Sequence, residues 1–113
     1  MTAPGVPDRG DLVWVDMSPA SGHEQQGRRP ALVLSPAVYN ERSGLAIMCP
    51  VTSRVKGYPF EVPLPEDGPV RGVVLADQVK SLDWRERGAD VAGEAPSEVM
   101  AAVLQRVGRL LAP

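Results

Sequence analysis

The residues of this chain best suited to act on a phosphodiester begin with an adjacent pair, Arg28 and Arg29. Pro30 and a short apolar run follow them. Pro30 fixes its own φ and pushes Arg29 toward an extended conformation, so a stiff backbone holds this side chain at the start of a strand. A guanidinium is a planar fork of donors that stays charged, which suits it to clamp a phosphate. The alternative is that both arginines are merely solvated charges.

A hydroxyl is expected beside this arginine. The apolar runs at 31–34 and 45–51 are consistent with an antiparallel pair of strands. If their connection is centred near Asn40, paired residue numbers sum to about 80. Arg29 then lies opposite Val51 and beside Thr52. The polar loop before Arg28 contributes His23 and Glu24 to the same end of the sheet.

An arginine, a hydroxyl and a carboxylate with flanking cations suit cleavage of RNA. RNA carries its own nucleophile, the 2′-hydroxyl, so the protein has only to orient it, take its proton and stabilise the charge that develops. The general base stays open between Glu24, His23 and Arg29, although a guanidinium is a poor base. Arg54 and Lys56, in the next loop, would supply the flanking cations.

The elements that must position these residues are short strands followed by one helix. Strands are predicted over 11–17, 29–34, 45–51, 60–64, 72–76 and 79–84, with a turn region, at most one helical turn, around Asn40. Trp14 is expected in the core, with base stacking as the alternative. Pro96 suits the first position of a helix, whose predicted apolar stripe is Val99, Val103, Leu104, Val107, Leu110 and Leu111. The prediction is one α+β domain over residues 1–113, mainly β, with a strongly bent sheet or barrel.

Composition excludes several other classes. The net charge is −2 and the pI is near 5.3, so binding to nucleic acid would need a local basic groove. One histidine and one cysteine give no pair of metal ligands at a useful spacing, and no glycine-rich phosphate loop is present. Cys49 lies in an apolar run and is expected to be a buried structural thiol of a cytoplasmic protein. We find no membrane-spanning run and no signal peptide.

The sequence resembles the MazF/PemK/Kid family of toxin endoribonucleases, and in particular its MazF branch. The resemblance covers most of the chain and rests on blocks in the same order and spacing. These blocks are GDLVWV (10–15), EQ (24–25), GRRP (27–30), VLSP (33–36), PVTS (50–53), KGYPFEV (56–62) and LADQVKS (75–81).

This resemblance implies an SH3-like barrel with a C-terminal helix, acting as a homodimer. It implies cleavage of single-stranded RNA at a short motif without a metal or other cofactor, giving 2′,3′-cyclic phosphate and 5′-hydroxyl ends. It also implies a MazE-like antitoxin whose acidic, flexible tail lies across the RNA groove. The catalytic residues would be Arg29, Thr52 and Glu24. The expected RNA contacts come from Met17, His23, Gln25, Arg28, Ser53, Arg54, Lys56 and Gln78.

Two other functions remain as alternatives. A toxin of the related CcdB type poisons gyrase through its C-terminal helix, but this reading leaves Arg29 and Thr52 unexplained. A simple SH3-like binding module would need an exposed aromatic groove, and the chain has only five Trp, Tyr and Phe residues.

Overall fold

The computed structural model describes residues 5–17 and 27–112 of the chain. The described residues form seven strands and two helices. In chain order these are β1 (Asp11–Asp16), β2 (Arg28–Val33), α1 (Ala37–Ser43), β3 (Leu45–Thr52), β4 (Glu61–Pro63), β5 (Val73–Leu75), β6 (Lys80–Asp83), β7 (Asp90–Glu94) and α2 (Ser97–Leu111).

All strand pairs are antiparallel, in the order β4-β5-β3-β2-β1-β7, and β6 also pairs with β3. The sheet bends at β3, because its first half pairs with β6 and its last two residues, Val51 and Thr52, pair with β5. The two ends of the sheet approach each other where Gly93 of β7 packs against Pro69. The predicted mainly β fold, with a strongly bent sheet and a C-terminal helix, is confirmed.

The register of β2 and β3 brings together Arg29 and Thr52, two of the three predicted catalytic residues. Ala31 pairs with Pro50 and Val33 with Met48, so paired numbers sum to 81 (31 + 50 and 33 + 48). The predicted sum of about 80 was one residue short, and the observed register puts Arg29 level with Thr52 itself. The difference arises in the connection, which is the helix α1 capped by Gly44 rather than a simple turn.

Asn40 of α1 fixes this connection from inside the protein. Its side chain is fully buried and donates hydrogen bonds to the carbonyls of Pro7 (2.8 Å) and Ser35 (3.0 Å). The indole N–H of Trp84 donates to the Asn40 carbonyl at 2.8 Å. Because leaving buried polar groups unpaired is costly, this network holds α1, and with it the β2–β3 register, in one arrangement.

The sheet is covered on both faces. On one face Leu12, Leu32 and Cys49 pack against α2, which buries Val99, Val103 and Val107. On the other face a second cluster of buried residues contains Val13, Val15, Ala31, Val33, Met48 and Trp84. The apolar run after Pro30 is therefore buried on both faces, and the predicted burial of Cys49 is confirmed.

Several sequence predictions about the elements were wrong. β7 was not predicted, and α1 is longer than the expected turn. β3 extends one residue beyond the predicted 45–51. Its passage through Pro50 is tolerated because β6 pairs only as far as Met48 and β5 begins pairing at Val51, so no strand on that side needs the missing N–H of the proline. Pro96 is the residue before α2 rather than its first residue.

Two predictions about burial were also wrong. Trp14 is 39% exposed rather than part of the core. In α2 the apolar stripe is narrower than predicted, since Leu104, Leu110 and Leu111 are exposed. Leu104 and Leu111 lie roughly a quarter of a turn from the centre of the buried valine line, and Leu110 lies in the final turn of the helix.

The thiol of Cys49 provides a pH-dependent test of this core. Burial, and secondarily the negative charge of Asp77, raises the pKa of Cys49 from 9.0 to about 12. Between these values the unfolded chain has lost the thiol proton and the folded chain still holds it, so stability falls as pH rises through this window. We expect this group to contribute a slope of about −1.4 kcal/mol per pH unit there.

Urea unfolding of the native protein and of Cys49→Ala, measured across that pH window, checks this expectation. The variant should be less stable at neutral pH but should lack this part of the alkaline slope. Equal slopes in the two proteins, or rapid reaction of the native thiol with a thiol reagent at neutral pH, would contradict a buried, neutral Cys49.

Candidate active site

Three adjoining clefts meet at Thr52, and we call them together the Thr52 groove. The tryptophan cleft, about 580 Å³, is lined by Trp14, Gly27, Arg28, Arg29, Pro30, Val51, Thr52, Ser53, Pro69, Val70 and Arg71. The central cleft, about 250 Å³, is lined by Met17, Arg29, Pro50, Val51, Thr52, Leu75, Gln78 and Lys80. The loop cleft, about 170 Å³, is lined by Thr52, Arg54, Lys56, Tyr58, Glu61, Leu75, Asp77 and Gln78.

The groove gathers every predicted site residue that the structure describes. These are Met17, Arg28, Arg29, Thr52, Ser53, Arg54, Lys56 and Gln78. The other three predicted residues, His23, Glu24 and Gln25, lie outside the described residues. The roles assigned to all of these residues remain predictions.

Arg29 and Thr52 stand at the junction of the tryptophan and central clefts. The exposed side chain of Arg29 has no hydrogen-bond or ion-pair partner among residues 5–17 and 27–112. The hydroxyl of Thr52 accepts a hydrogen bond from the backbone N–H of Arg54 at 3.1 Å. Its own proton is therefore left for donation, so both residues present donors to the groove.

Gly72 holds Thr52 in place from the neighbouring strand. The φ of Gly72 is +118°, and a Cβ added to it would stand 2.2 Å from the carbonyl oxygen of Thr52. Any larger residue would have to displace the backbone at Thr52, and its own backbone would be strained. The position of the Thr52 hydroxyl therefore depends on a glycine in the loop that leads into β5.

Arg28 differs from Arg29 because it is already engaged. Its guanidinium donates to the carbonyls of Trp14 (2.8 Å) and Gly88 (2.6 Å), and it forms an ion pair with Asp90 at 2.9 Å. Arg28 thus ties β1, β2 and β7 together at the edge of the tryptophan cleft. The predicted RNA contact of Arg28 would have to be made alongside these bonds.

The loop between β3 and β4 is fastened by a buried carboxylate. Glu61 is 9% exposed and accepts hydrogen bonds from the backbone N–H groups of Lys56 (3.1 Å) and Gly57 (2.9 Å). The ammonium of Lys56 lies over the ring of Tyr58, 5.9 Å from its centroid. This anchoring holds the cationic side of the loop cleft next to Thr52.

The groove is basic although the chain is acidic. Six cationic side chains line it, from Arg28, Arg29, Arg54, Lys56, Arg71 and Lys80, against two carboxylates, Glu61 and Asp77. Sequence reasoning did not place Tyr58, Arg71, Asp77 or Lys80 in the site, and it gave base stacking by Trp14 only as the alternative to a core position. Lys80 and Asp77 could have been found, since both fall in the same sequence block as Gln78.

A family profile described as "PemK-like, MazF-like toxin of type II toxin-antitoxin system" matches residues 8–111 of the chain. The chain belongs to this family.

Relatives and solved structures agree with the PemK-like, MazF-like family. The chain is 50% identical to the endoribonuclease toxin MazF of Escherichia coli (strain K12) over 107 residues, covering 94% of this chain and 95% of that one. It is similar to a chain in the crystal structure of MazE–MazF (Form-II) from Deinococcus radiodurans, with 61% identity, a TM-score of 0.89 and coverage of 94% and 96%. The MazF (Form-I) structure from the same organism gives 61% identity, a TM-score of 0.86 and the same coverage.

Three further observations concern the described part of this family member. None of its helices is long and apolar enough to cross a membrane. No group of three or more His, Cys, Asp or Glu side chains in residues 5–17 and 27–112 could hold a metal ion. Asp11 lies outside the groove, at the start of β1, and its pKa is raised, mainly by burial.

We expect Gly72→Ala to disturb Thr52. The added methyl group cannot fit against the Thr52 carbonyl, and the positive φ adds strain, so the variant should lose about 1–3 kcal/mol of stability. The amide resonances of Thr52 and Arg54 should shift in ¹H–¹⁵N spectra. Gly68→Ala is the matched control, because Gly68 lies in the same β4–β5 connection and the nearest neighbour of its Cβ would be the Pro65 carbonyl oxygen at 3.4 Å. Similar spectra for the two variants would show that Gly72 does not position Thr52.

Proposed function

We propose that this chain is the toxin of a type II toxin–antitoxin pair and a ribosome-independent endoribonuclease that cleaves single-stranded RNA at a short motif. The observation that carries this proposal is the junction of Arg29 and Thr52 inside a groove with six cationic side chains. Basic grooves track the backbone of single-stranded nucleic acid. Family membership and the 50% identity to an endoribonuclease toxin support the same activity.

The proposed reaction uses the substrate's own nucleophile. A base removes the proton of the ribose 2′-hydroxyl, O2′ attacks the adjacent phosphorus, and the bond from phosphorus to O5′ breaks. The products are a 2′,3′-cyclic phosphate and a 5′-hydroxyl, whose oxygen takes up a proton as it leaves. Arg29 stabilises the charge on the phosphorane and Thr52 donates a hydrogen bond to a phosphoryl oxygen. We assign the base to Glu24, with His23 as the alternative; both precede Arg29 in the chain.

In this scheme the chain's own donors supply the charge stabilisation that a metal would otherwise provide. We therefore propose that cleavage needs no metal or other cofactor. Digestion of a long RNA in the presence of a chelator, followed by mapping of both kinds of ends, tests the activity, the metal requirement, the motif and the end chemistry together. Incubation with gyrase tests the alternative target.

Two partners follow from the proposal. One is an antitoxin with an acidic, flexible tail; the similarity of this chain to one in a MazE–MazF crystal structure from Deinococcus radiodurans supports a protein partner. The other is a second copy of the chain, since a domain of this size gains from burying more apolar surface and Leu104, Leu110 and Leu111 are exposed on α2. Sedimentation at micromolar concentration tests the homodimer. The proposed compartment is the cytoplasm, where a lone thiol such as Cys49 stays reduced.

Arg29→Ala should leave the fold intact and remove most of the activity. The side chain is exposed, so the loss of stability should be about 1 kcal/mol or less. Losing one donor to the developing charge should slow cleavage about 100- to 1000-fold. Arg29→Lys should recover little, because an ammonium lacks the bidentate fork. Thr52→Ala should also lose activity, and Thr52→Ser should keep much of it.

Thermal melting and single-turnover cleavage of a short RNA measure these effects, and a deoxy analogue measures binding separately. Arg42→Ala is the matched control, since Arg42 is also an exposed arginine but lies in α1 outside the groove. If folded Arg29→Ala cleaves as fast as Arg42→Ala, the assigned active site is wrong. If Arg29→Ala unfolds, Arg29 has a structural role instead.

An acidic peptide should compete with RNA for the Thr52 groove. Both ligands would need its cations, so the affinity of each should fall as the salt concentration rises. A fluorescent uncleavable RNA, titrated with a peptide of the antitoxin tail at several salt concentrations, measures this competition. Simultaneous binding of both ligands to one groove would rule out a shared site.

A further inference from the structure

We propose that the tryptophan cleft is a nucleobase subsite, in which a base next to the scissile phosphodiester stacks on Trp14 while Arg71 contacts the backbone phosphate. The inference rests on the proposed ribonuclease function and adds to it a residue that reads the substrate beyond the cleaved bond. Neither Trp14 nor Arg71 belongs to the predicted catalytic or RNA-binding set.

Trp14 is exposed although it lies on a strand with a neighbouring strand on each side. It lies on β1, which pairs with β2 on one side and β7 on the other, and yet 39% of its surface is accessible. The neighbouring Val13 and Val15 are fully buried on the opposite face. A large apolar ring held on a rigid strand and open to a cleft is suited to bind a flat partner.

The indole of Trp14 is free to receive that partner. The cation–π contacts in the described parts of the chain are those of Lys56 with Tyr58 and of Arg85 with Trp84, so no cation there occupies the ring of Trp14. Within residues 5–17 and 27–112 the indole N–H also has no hydrogen-bond acceptor. A base could therefore stack on the ring, and the N–H could donate to it.

The surroundings of Trp14 suit one nucleotide rather than a purely apolar ligand. The cleft shares Arg29 and Thr52 with the proposed active site, so a nucleotide in it would be close to the reacting phosphate. Arg71 has no hydrogen-bond or ion-pair partner among the residues that the structure describes, whereas Arg28 is engaged with Asp90. Because Arg29 is assigned to the reacting phosphate, Arg71 is the remaining arginine that can contact the neighbouring phosphate.

The cleft wall that adjoins Arg71 in the chain is fixed in place. Pro69 packs so closely on Gly93 that a Cβ at residue 93 would lie 2.6 Å from the proline ring. Val70 lines the same cleft and is buried at its base, so the apolar lining belongs to the main core. The subsite is therefore largely pre-formed, which lowers the entropic cost of ordering a ligand in it.

Each end of the groove has an exposed aromatic ring in the same cleft as a cationic side chain. At the loop end Tyr58, 57% exposed, stands beside Lys56. At the other end Trp14 stands in one cleft with Arg71, and Thr52 is common to both clefts. An aromatic ring with a cation on each side of the reacting residues fits a single strand that passes through the groove, with bases on the rings and phosphates on the cations.

The test compares uncleavable RNAs of increasing length. Each carries a deoxyribose at the scissile position; the shortest has only the two nucleotides that flank the cleaved bond, and the others are extended by one nucleotide at the 5′ or the 3′ end. Each is titrated against the native protein and against Trp14→Ala, Trp14→Leu, Trp14→Phe and Arg71→Ala. Tyr39→Ala is the matched control, because Tyr39 is also 39% exposed but lines a separate cleft with Arg9, Leu34, Ser35, Pro36 and Ile47.

For the native protein and the Tyr39→Ala control, extension at one end should tighten binding by about 5- to 150-fold, the range expected for one stacked base. Trp14→Ala and Trp14→Leu should lose this gain without weakening the shortest RNA, and Trp14→Phe should keep most of it. Arg71→Ala should lose part of the gain and lessen its salt dependence. A base stacked on Trp14 should quench its fluorescence. The change can be assigned to Trp14, since the second tryptophan, Trp84, is only 6% exposed.

Cleavage of a long RNA by the native protein is measured alongside and tests the proposed function separately. If the native protein cleaves and Trp14→Ala binds every RNA as the native protein does, the subsite is wrong and the ribonuclease function stands. If Trp14→Leu weakens all lengths equally or changes the sedimentation of the protein, Trp14 acts through assembly or folding, and the subsite is again overturned. Trp14 variants that lose only antitoxin-peptide affinity would reassign the cleft to the protein partner.

Discussion

The close contact between Gly72 and the carbonyl of Thr52 is the constraint on which the groove depends. β3 can leave one half of the sheet and enter the other only if the chain before β5 approaches its last residue without a side chain in between. That approach places the Thr52 hydroxyl at the meeting point of three clefts. The buried network at Asn40 acts at the other end of the same strand and fixes which residue of β2 faces Thr52. The geometry of the Thr52 groove is therefore set by the bend in the sheet.

The charge in the Thr52 groove is opposite in sign to the net charge of the chain. The sequence carries a net charge of −2, yet six cationic side chains line the groove, and one of its two carboxylates, Glu61, is committed to backbone N–H groups. Arg28 is paired with Asp90. Arg29 and Arg71 are therefore the guanidinium groups that remain for a ligand in the tryptophan cleft. A polyanion is drawn to such a site by local field rather than by overall charge, and the same local field would suit an acidic protein tail.

Much of this arrangement could be predicted from sequence because it depends on local pattern. The apolar runs at 31–34 and 45–51 predicted β2 and β3, and pairing them around Asn40 came within one residue of the observed register. The wrong predictions of burial concern residues just beyond the area of one element that its neighbour covers. Leu12 and Trp14 share a face of β1, but the cover over Leu12 does not extend to Trp14. The same holds for Leu104 and Leu111, whose helical spacing fits the stripe although they lie beside the buried line. β7, with Asp90, Gly93 and Glu94, lacks the apolar alternation that marks a strand.

The fastening of the loop between β3 and β4 has a consequence for how such a protein can diversify. Glu61 grips this loop through main-chain amides, which every residue other than proline possesses. The side chains of Arg54, Val55, Lys56 and Tyr58 are exposed and play no part in that grip. They can be exchanged for others while the backbone that carries them keeps its path beside Thr52. A lineage that retains this one acid can therefore change the ligand preference of the loop cleft without rebuilding its core, and the loop offers an experimenter the same freedom to graft new preferences.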